Sequence, residues 1–155
     1  MMRRKRQLRR SGFTLMEVLL VAGILAVLAA FAIPNLLGRA EETKIKIAQA
    51  TIGRNGPIAK GLDQYKWAMG KFPDTDEGIK VLFLPKEYKK ENERYDGPYM
   101  NGTFEELKDP WSNPFEYRCP GEMNQDGYDL WSRGPDGKDD GGKEGSDDVK
   151  NWIEK

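Results

Sequence analysis

Histidine is absent from this chain, and cysteine occurs once, at Cys119. Without histidine there is no imidazole for acid–base work at neutral pH and no ligand for the usual zinc sites. One thiol cannot close an intramolecular disulfide, so stability has to come from packing or a bound cation. Cys119 itself reads as a small, partly buried hydrophobe. The sequence also lacks a phosphate-cradling glycine loop, which excludes a built-in nucleotide motor. Scattered serines and lysines form no nucleophile–base constellation. These absences weigh against an enzyme and in favour of a structural or binding role.

Net charge is zero as well, but only as a sum. Residues 1–12 carry Arg3, Arg4, Lys5, Arg6, Arg9 and Arg10 and no acid. With those six set aside, the 25 basic residues fall to 19 against 25 acidic ones, a net of −6. A basic leader ahead of an apolar stretch is a topology signal that keeps the N-terminus cytoplasmic. The stretch follows at once. Between Phe13 and Ile33, only Thr14 and Glu17 are clearly polar. At about 1.5 Å per residue a helix of this length matches the roughly 30 Å hydrocarbon core of a bilayer.

Glu17 is the anomaly, because a carboxylate inside such a span costs about 3 kcal/mol. A cut between Gly12 and Phe13 would place a new α-amine one helical turn before it. That ammonium would lie at the positive end of the helix dipole and needs a counter-charge. In an isolated chain the pair could close on itself; where helices pack side by side, Glu17 of one chain could instead take the amine of the next and fix their axial register, the best-attested use of a buried ion pair. Two plainer readings compete. Ala30-Phe31-Ala32 fits a small-x-small secretory cleavage site, and the run could also be a simple signal anchor with Glu17 protonated or snorkelling.

Beyond Pro34, which is expected to kink or loosen the helix, Leu36, Leu37, Ala40, Ile45, Ile47, Ala48 and Ile52 continue an amphipathic helical pattern. Gly53-Arg54-Asn55-Gly56-Pro57 predicts a break. Ile58, Leu62, Tyr65 and Met69 then share one face of a second helix, closed by Gly70 and Pro73. Ile79, Val81, Leu82 and Leu84 anchor a short segment, and Lys86–Asn101 reads as a polar loop. Asp109-Pro110-Trp111-Ser112-Asn113-Pro114 is a compact turn with Trp111 directed to the core. Phe115–Arg118 and Tyr128–Trp131 alternate as strands of a hairpin across Pro120–Gly127.

Asp136, Asp139, Asp140, Glu144, Asp147 and Asp148 then crowd a glycine-rich stretch flanked by Trp131 and Trp152. Carboxylates and backbone carbonyls on a flexible loop are what hard cations such as calcium take. An EF-hand is not the template: Asp136, Asp140 and Gly141 fit positions one, five and six, but Lys138 stands at three and Asp147 at twelve, with no flanking helices. The bland alternative is a solvated acidic loop without metal.

Gly12-Phe13-Thr14-Leu15-Met16-Glu17 behind a basic leader resembles the processing signal of type IV pilins and type II secretion pseudopilins. Gly70-Lys71-Phe72-Pro73, Asp76-Glu77-Gly78, Asp109–Pro114 and Gly134-Pro135-Asp136-Gly137 follow in the order seen in the major pseudopilins of type II secretion. The likeness runs from Gly12 to Trp152 and departs from the pattern at Thr51–Pro57, where the family helix is uninterrupted. A single cysteine also lacks the C-terminal disulfide loop typical of adhesive pilins.

The resemblance implies an α+β pilin-like fold, with a long N-terminal helix on a small antiparallel sheet and a C-terminal metal-binding loop. It divides the chain into a leader, 1–12, a transmembrane and assembly helix, 13–34, and a periplasmic domain, 35–155. A prepilin peptidase would cut after Gly12 and methylate Phe13, and Glu17 would guide assembly. The product would be a homo-oligomeric periplasmic filament working in protein export with minor pseudopilins and an inner-membrane assembly platform. A surface type IV pilus for motility, adhesion or DNA uptake is the alternative. One structural Ca2+ would be held by Asp136, Asp147 and Asp148 with the backbone carbonyls of Arg133 and Ser146, and Asp139 or Asp140 as substitutes.

Overall fold

A computed structural model describes residues 12–89 and 94–153, the side chains of 32–37 excepted. The leader, apart from Gly12, lies outside the described residues, as does part of the expected Lys86–Asn101 loop. That loop begins with a 3-10 turn at Lys86–Lys89 rather than irregular backbone. The element order is α1 (Leu15–Ile52), α2 (Pro57–Met69), a 3-10 turn at Ile79–Phe83, and three strands, β1 (Glu116–Arg118), β2 (Asp129–Ser132) and β3 (Val149–Lys150).

The chain divides into two compact units, residues up to Ala40 and residues from Glu41 onward. In the first, α1 begins where Thr14 supplies a cap: its Oγ1 accepts the backbone N–H of Glu17 at 3.2 Å, which satisfies one of the orphan donors of a helix start. The helix then continues without interruption past position 34. Pro34 therefore does not break the helix. Every described side chain from Leu15 to Phe31 is exposed.

The second unit is built from the end of α1 onward. α1 stops at Ile52, and the glycine-proline segment that predicted a break separates it from α2, which opens with Pro57 at its first turn. Proline is suited to that position, where no intrahelical donor is missed. α2 ends on Gly70 in the left-handed region (φ 82°), its N–H returned to the Lys66 carbonyl.

Ala48 and Ile52 from α1, Ile58, Leu62 and Tyr65 from α2, Val81 and Leu82, Tyr95, Phe115, Leu130 and Val149 form one buried core. Tyr65, Tyr95 and Tyr99 meet edge to face with ring centroids 5.4–6.2 Å apart. The buried Tyr95 hydroxyl lies 2.8 Å from the Val81 and Leu84 carbonyls.

The sheet is antiparallel in the order β1-β2-β3. Glu116 opposes Trp131 and Tyr117 opposes Leu130, the hairpin expected from alternation; β3 sets Lys150 opposite Trp131 and Val149 opposite Ser132. Within the hairpin connection, buried Asp129 accepts the backbone N–H groups of Glu122 (2.7 Å), Met123 (3.0 Å) and Asn124 (2.9 Å). Cys119 is a free, partly buried thiol facing the Gly127 carbonyl.

Candidate functional site

Two regions carry the residues singled out from sequence. The first is the exposed N-terminal face. Phe13, Glu17, Val18, Val21, Ala22 and Leu25 line one shallow groove along it. Phe13 is 84 % exposed and Leu15 78 % among the described residues. Apolar surface on this scale marks a membrane or protein interface. Among the described residues no helix is long and apolar enough to cross a membrane; the described part of the run ends at Phe31, and the side chains that continue it are those of 32–37. Thr14 is the residue that sequence reasoning passed over. Its three-residue spacing to Glu17 is a readable capping signal.

The second region is the loop between β2 and β3. Gly134 opens it with φ 63°, its Cα so close to the Asp147 backbone that a Cβ would sit 2.2 Å from the Asp147 carbonyl oxygen. Gly142, with φ 64°, approaches the Trp152 indole as closely: a Cβ there would sit 2.3 Å from the ring. These two approaches fold the loop back on itself. Trp131 and Trp152 pack edge to face at 6.0 Å beneath it, as their flanking positions predict.

The folding-back gathers Asp136, Asp140 and Asp147, each exposed, with carboxylate oxygens all within 4.8 Å of one another. Calcium–oxygen distances are about 2.3–2.6 Å, so oxygens on opposite sides of one ion stand about 5 Å apart. The trio fits that spacing. Asp136 and Asp147 were expected together, and Asp147 Oδ2 accepts the Asp136 backbone N–H at 2.9 Å. Of the two possible substitutes, Asp140 joins them. Asp139 is committed elsewhere: its Oδ1 accepts the Trp131 indole N–H and the Gly141 N–H, both at 2.9 Å.

Asp148 stands outside the trio and is buried. Its Oδ2 accepts the Gly142 N–H at 2.7 Å, while Oδ1 is buried without a hydrogen-bond partner among the described residues. Burial, with smaller contributions from Asp140 and Asp139, pushes this carboxyl above the usual range. The three clustered carboxylates are by themselves the kind of oxygen donors a hard cation takes. Arg133 is committed through its side chain, which pairs with Glu116 (Nη2 at 2.6 Å, Nε at 2.9 Å), so only its backbone is left to offer. The Ser146 hydroxyl donates to the Lys143 carbonyl at 2.7 Å, which also leaves its backbone as the available group.

A buried relay anchors the loop from below. Asp109 Oδ1 accepts the N–H groups of Trp111 (3.0 Å) and Asn113 (2.8 Å), and Oδ2 accepts the Ser132 hydroxyl at 2.5 Å. Ser132 Oγ in turn accepts the Gly134 N–H at 3.2 Å. The Asp-Pro-Trp turn therefore fixes the first residue of the acidic loop's fold. Trp111 is half-buried, its indole N–H donating to Glu41 at 2.9 Å.

Comparison with known proteins agrees with this anatomy. The family model for type II secretion system protein G matches residues 35–152, and that for the prokaryotic N-terminal methylation motif matches residues 7–33. The chain is 35 % identical to the type II secretion system core protein G of Pseudomonas aeruginosa, over 97 % of this chain and 99 % of that protein. It is 33 % identical to the protein of the same description from Vibrio cholerae, over 96 % and 95 %. The crystal structure of the major pseudopilin from the type 2 secretion system of enterohaemorrhagic Escherichia coli superposes with a TM-score of 0.60 at 25 % identity, covering 77 % of this chain and 91 % of that one. The chain belongs to the type II secretion protein G family, and is a major pseudopilin, a structural subunit bearing the methylation motif of a prepilin-peptidase substrate.

Proposed function

We propose that the chain is cut after Gly12, methylated on Phe13 and held in the inner membrane by residues 13–34, with 35–155 on the periplasmic side. Many copies then assemble helically into a periplasmic filament that serves protein export, together with minor pseudopilins and an inner-membrane assembly platform. The observation that carries this reading is the exposed apolar face from Leu15 to Phe31, on which Glu17 is the single carboxylate. Lipid or neighbouring helices cover the face, and Glu17 neutralises the terminal amine of the next subunit. Glu17→Ala should remain in the membrane fraction and yield no filaments. Filaments of normal length and number from that variant would overturn the registry role.

A structural calcium belongs to the same proposal. Asp136, Asp140 and Asp147 hold it, with Asp148 and the backbone carbonyls of Arg133 and Ser146 completing the shell. The ion neutralises a loop that otherwise repels itself. Ca2+ should raise the melting temperature of the detergent-solubilised chain and chelator should reverse the gain; an unchanged curve overturns the site.

A further inference from the structure

α2 is amphipathic with one exception. Ile58, Leu62 and Tyr65 are buried on its core side, and Lys60, Asp63 and Gln64 stand exposed on the other. Trp67 follows Gln64 by three residues and Asp63 by four, so it shares the solvent side, and it is 91 % exposed. The helix has no internal use for an indole there. Of the four tryptophans in the chain, Trp131 and Trp152 are buried and Trp111 is half-buried; Trp67 is left to water. Beside it lies an open hollow of about 590 Å3, lined by Trp67, Ala68 and Gly70 at the end of α2 and by Lys86, Arg94 and Asp96. Lys86 and Asp96 pair at 2.7 Å, and with Arg94 the lining carries one positive charge in excess.

We propose that Trp67 and this hollow are one half of a contact between globular domains, and that their occupant is a different face of a second copy of this chain. The inference rests on the filament reading given above and adds to it a contact outside the N-terminal stretch. The chain is a structural subunit by family, so its own copies are the surface it meets most often. Charge favours the same occupant. With the leader set aside the chain carries a net of −6, and a cationic hollow attracts the body of another such copy. Open filaments arise from head-to-tail contacts, in which a patch on one subunit meets a different patch on the next. Tryptophan and arginine together are the residues most enriched where such contacts concentrate their binding energy. Trp67 therefore serves as the anchor, and Lys86 and Arg94 orient the incoming surface.

The test puts a photo-crosslinker where the indole stands, Trp67→benzoylphenylalanine, in the full chain assembled into filaments. Irradiation should give a band of twice the subunit mass. In it, position 67 should be joined to the Glu41–Lys155 unit of a second copy, at a site outside that copy's α2. Trp67→Ala should melt with the native chain, because so little of this side chain is packed. It should lower filament yield by about tenfold, with Trp67→Phe between the two. Should Trp67→Ala melt lower instead, the crosslink alone decides. A crosslink to another protein, a crosslink between two α2 helices, or none within filaments of normal length overturns the proposal and leaves the filament reading standing. Native yield from a normally melting Trp67→Ala does the same. Absence of filaments from the native chain overturns the filament reading and the proposal together.

Discussion

Leu25 and Leu62 are the same residue with opposite fates. Leu25, in the N-terminal stretch, is 60 % exposed, whereas Leu62, in the second unit, is fully buried. The polar groups divide likewise. Asp109 and Asp129 are buried and accept two and three backbone N–H groups, while the Glu17 carboxylate stands on an exposed apolar face. One region partners both of these carboxylates within its own fold. The other is composed as though its partners were elsewhere, since apolar surface left in water forfeits about 25 cal/mol per Å2. An exposed apolar helix joined to a packed domain is the division that the proposed filament subunit would need.

The widest way to break the comparison is to delete the same group from each side. Leu62→Ala should destabilise the second unit by about 2–5 kcal/mol, because it empties a packed core position. Leu25→Ala should leave thermal unfolding of that unit unchanged and reduce filament yield. Equal melting losses from the two variants would erase the distinction. A smaller effect is expected at Asp109. Asp109→Ala leaves the Trp111 and Asn113 N–H groups and the Ser132 hydroxyl without their acceptor, which should cost about 3 kcal/mol. Loss of Ca2+ affinity should accompany it, since Ser132 holds Gly134 at the mouth of the acidic loop.

How far the sequence discloses these features depends on how local their cause is. The Gly53–Pro57 break, the Gly70 cap and the β1–β2 hairpin are written in adjacent residues, and each appears where expected. β3 is only Val149–Lys150; two residues show no period, and the pairing comes from β2, not from intrinsic preference. Asp109 was legible as a turn residue, but its bond to Ser132 spans 23 positions and follows from the fold alone. The acidic loop shows both limits. Its composition raised a cation site beside a plain solvated loop, and no periodicity could say that Asp140 rather than Asp139 would sit with Asp136 and Asp147; Asp139 instead accepts the Trp131 indole N–H. Lys138 counted in the sequence only as a mismatch to a ligand pattern; in the structure its ammonium meets Asp136 Oδ2 at 2.9 Å.

At alkaline pH the two regions should separate again. Burial, reinforced by Asp63 and opposed by Arg54, pushes the Tyr128 phenol up to about 12 from its ordinary value of 10. Burial also raises Tyr117. With the folded value above the unfolded one, the stability is fully present below pH 10 and is lost as pH rises toward 12. Tyr128 should account for about 2 kcal/mol of that loss. Tyr128→Phe keeps the ring against Phe72 at 4.9 Å and should flatten, without abolishing, the alkaline fall in denaturation midpoint. An unchanged alkaline limb would show that the phenol ionises freely in the folded chain.

The finest division lies within the N-terminal region, at the start of α1. Glu17 enters two separate accounts there: its backbone N–H is capped by Thr14, and its carboxylate is assigned to a neighbouring subunit's amine. Thr14→Ala removes the cap and leaves the charge. The helix start should weaken by about 1 kcal/mol, seen as faster amide exchange in the first turn. Filaments should still form, because packing against neighbouring helices stabilises a helix more than one cap does. Thr14→Ser, which restores an acceptor oxygen, should recover the slow exchange. If Thr14→Ala instead abolished filaments as completely as Glu17→Ala, the two residues would be acting through one local feature, the first turn of the helix. The carboxylate would then owe its place in the apolar stretch to where the helix begins, and no charge between subunits would be needed to explain it.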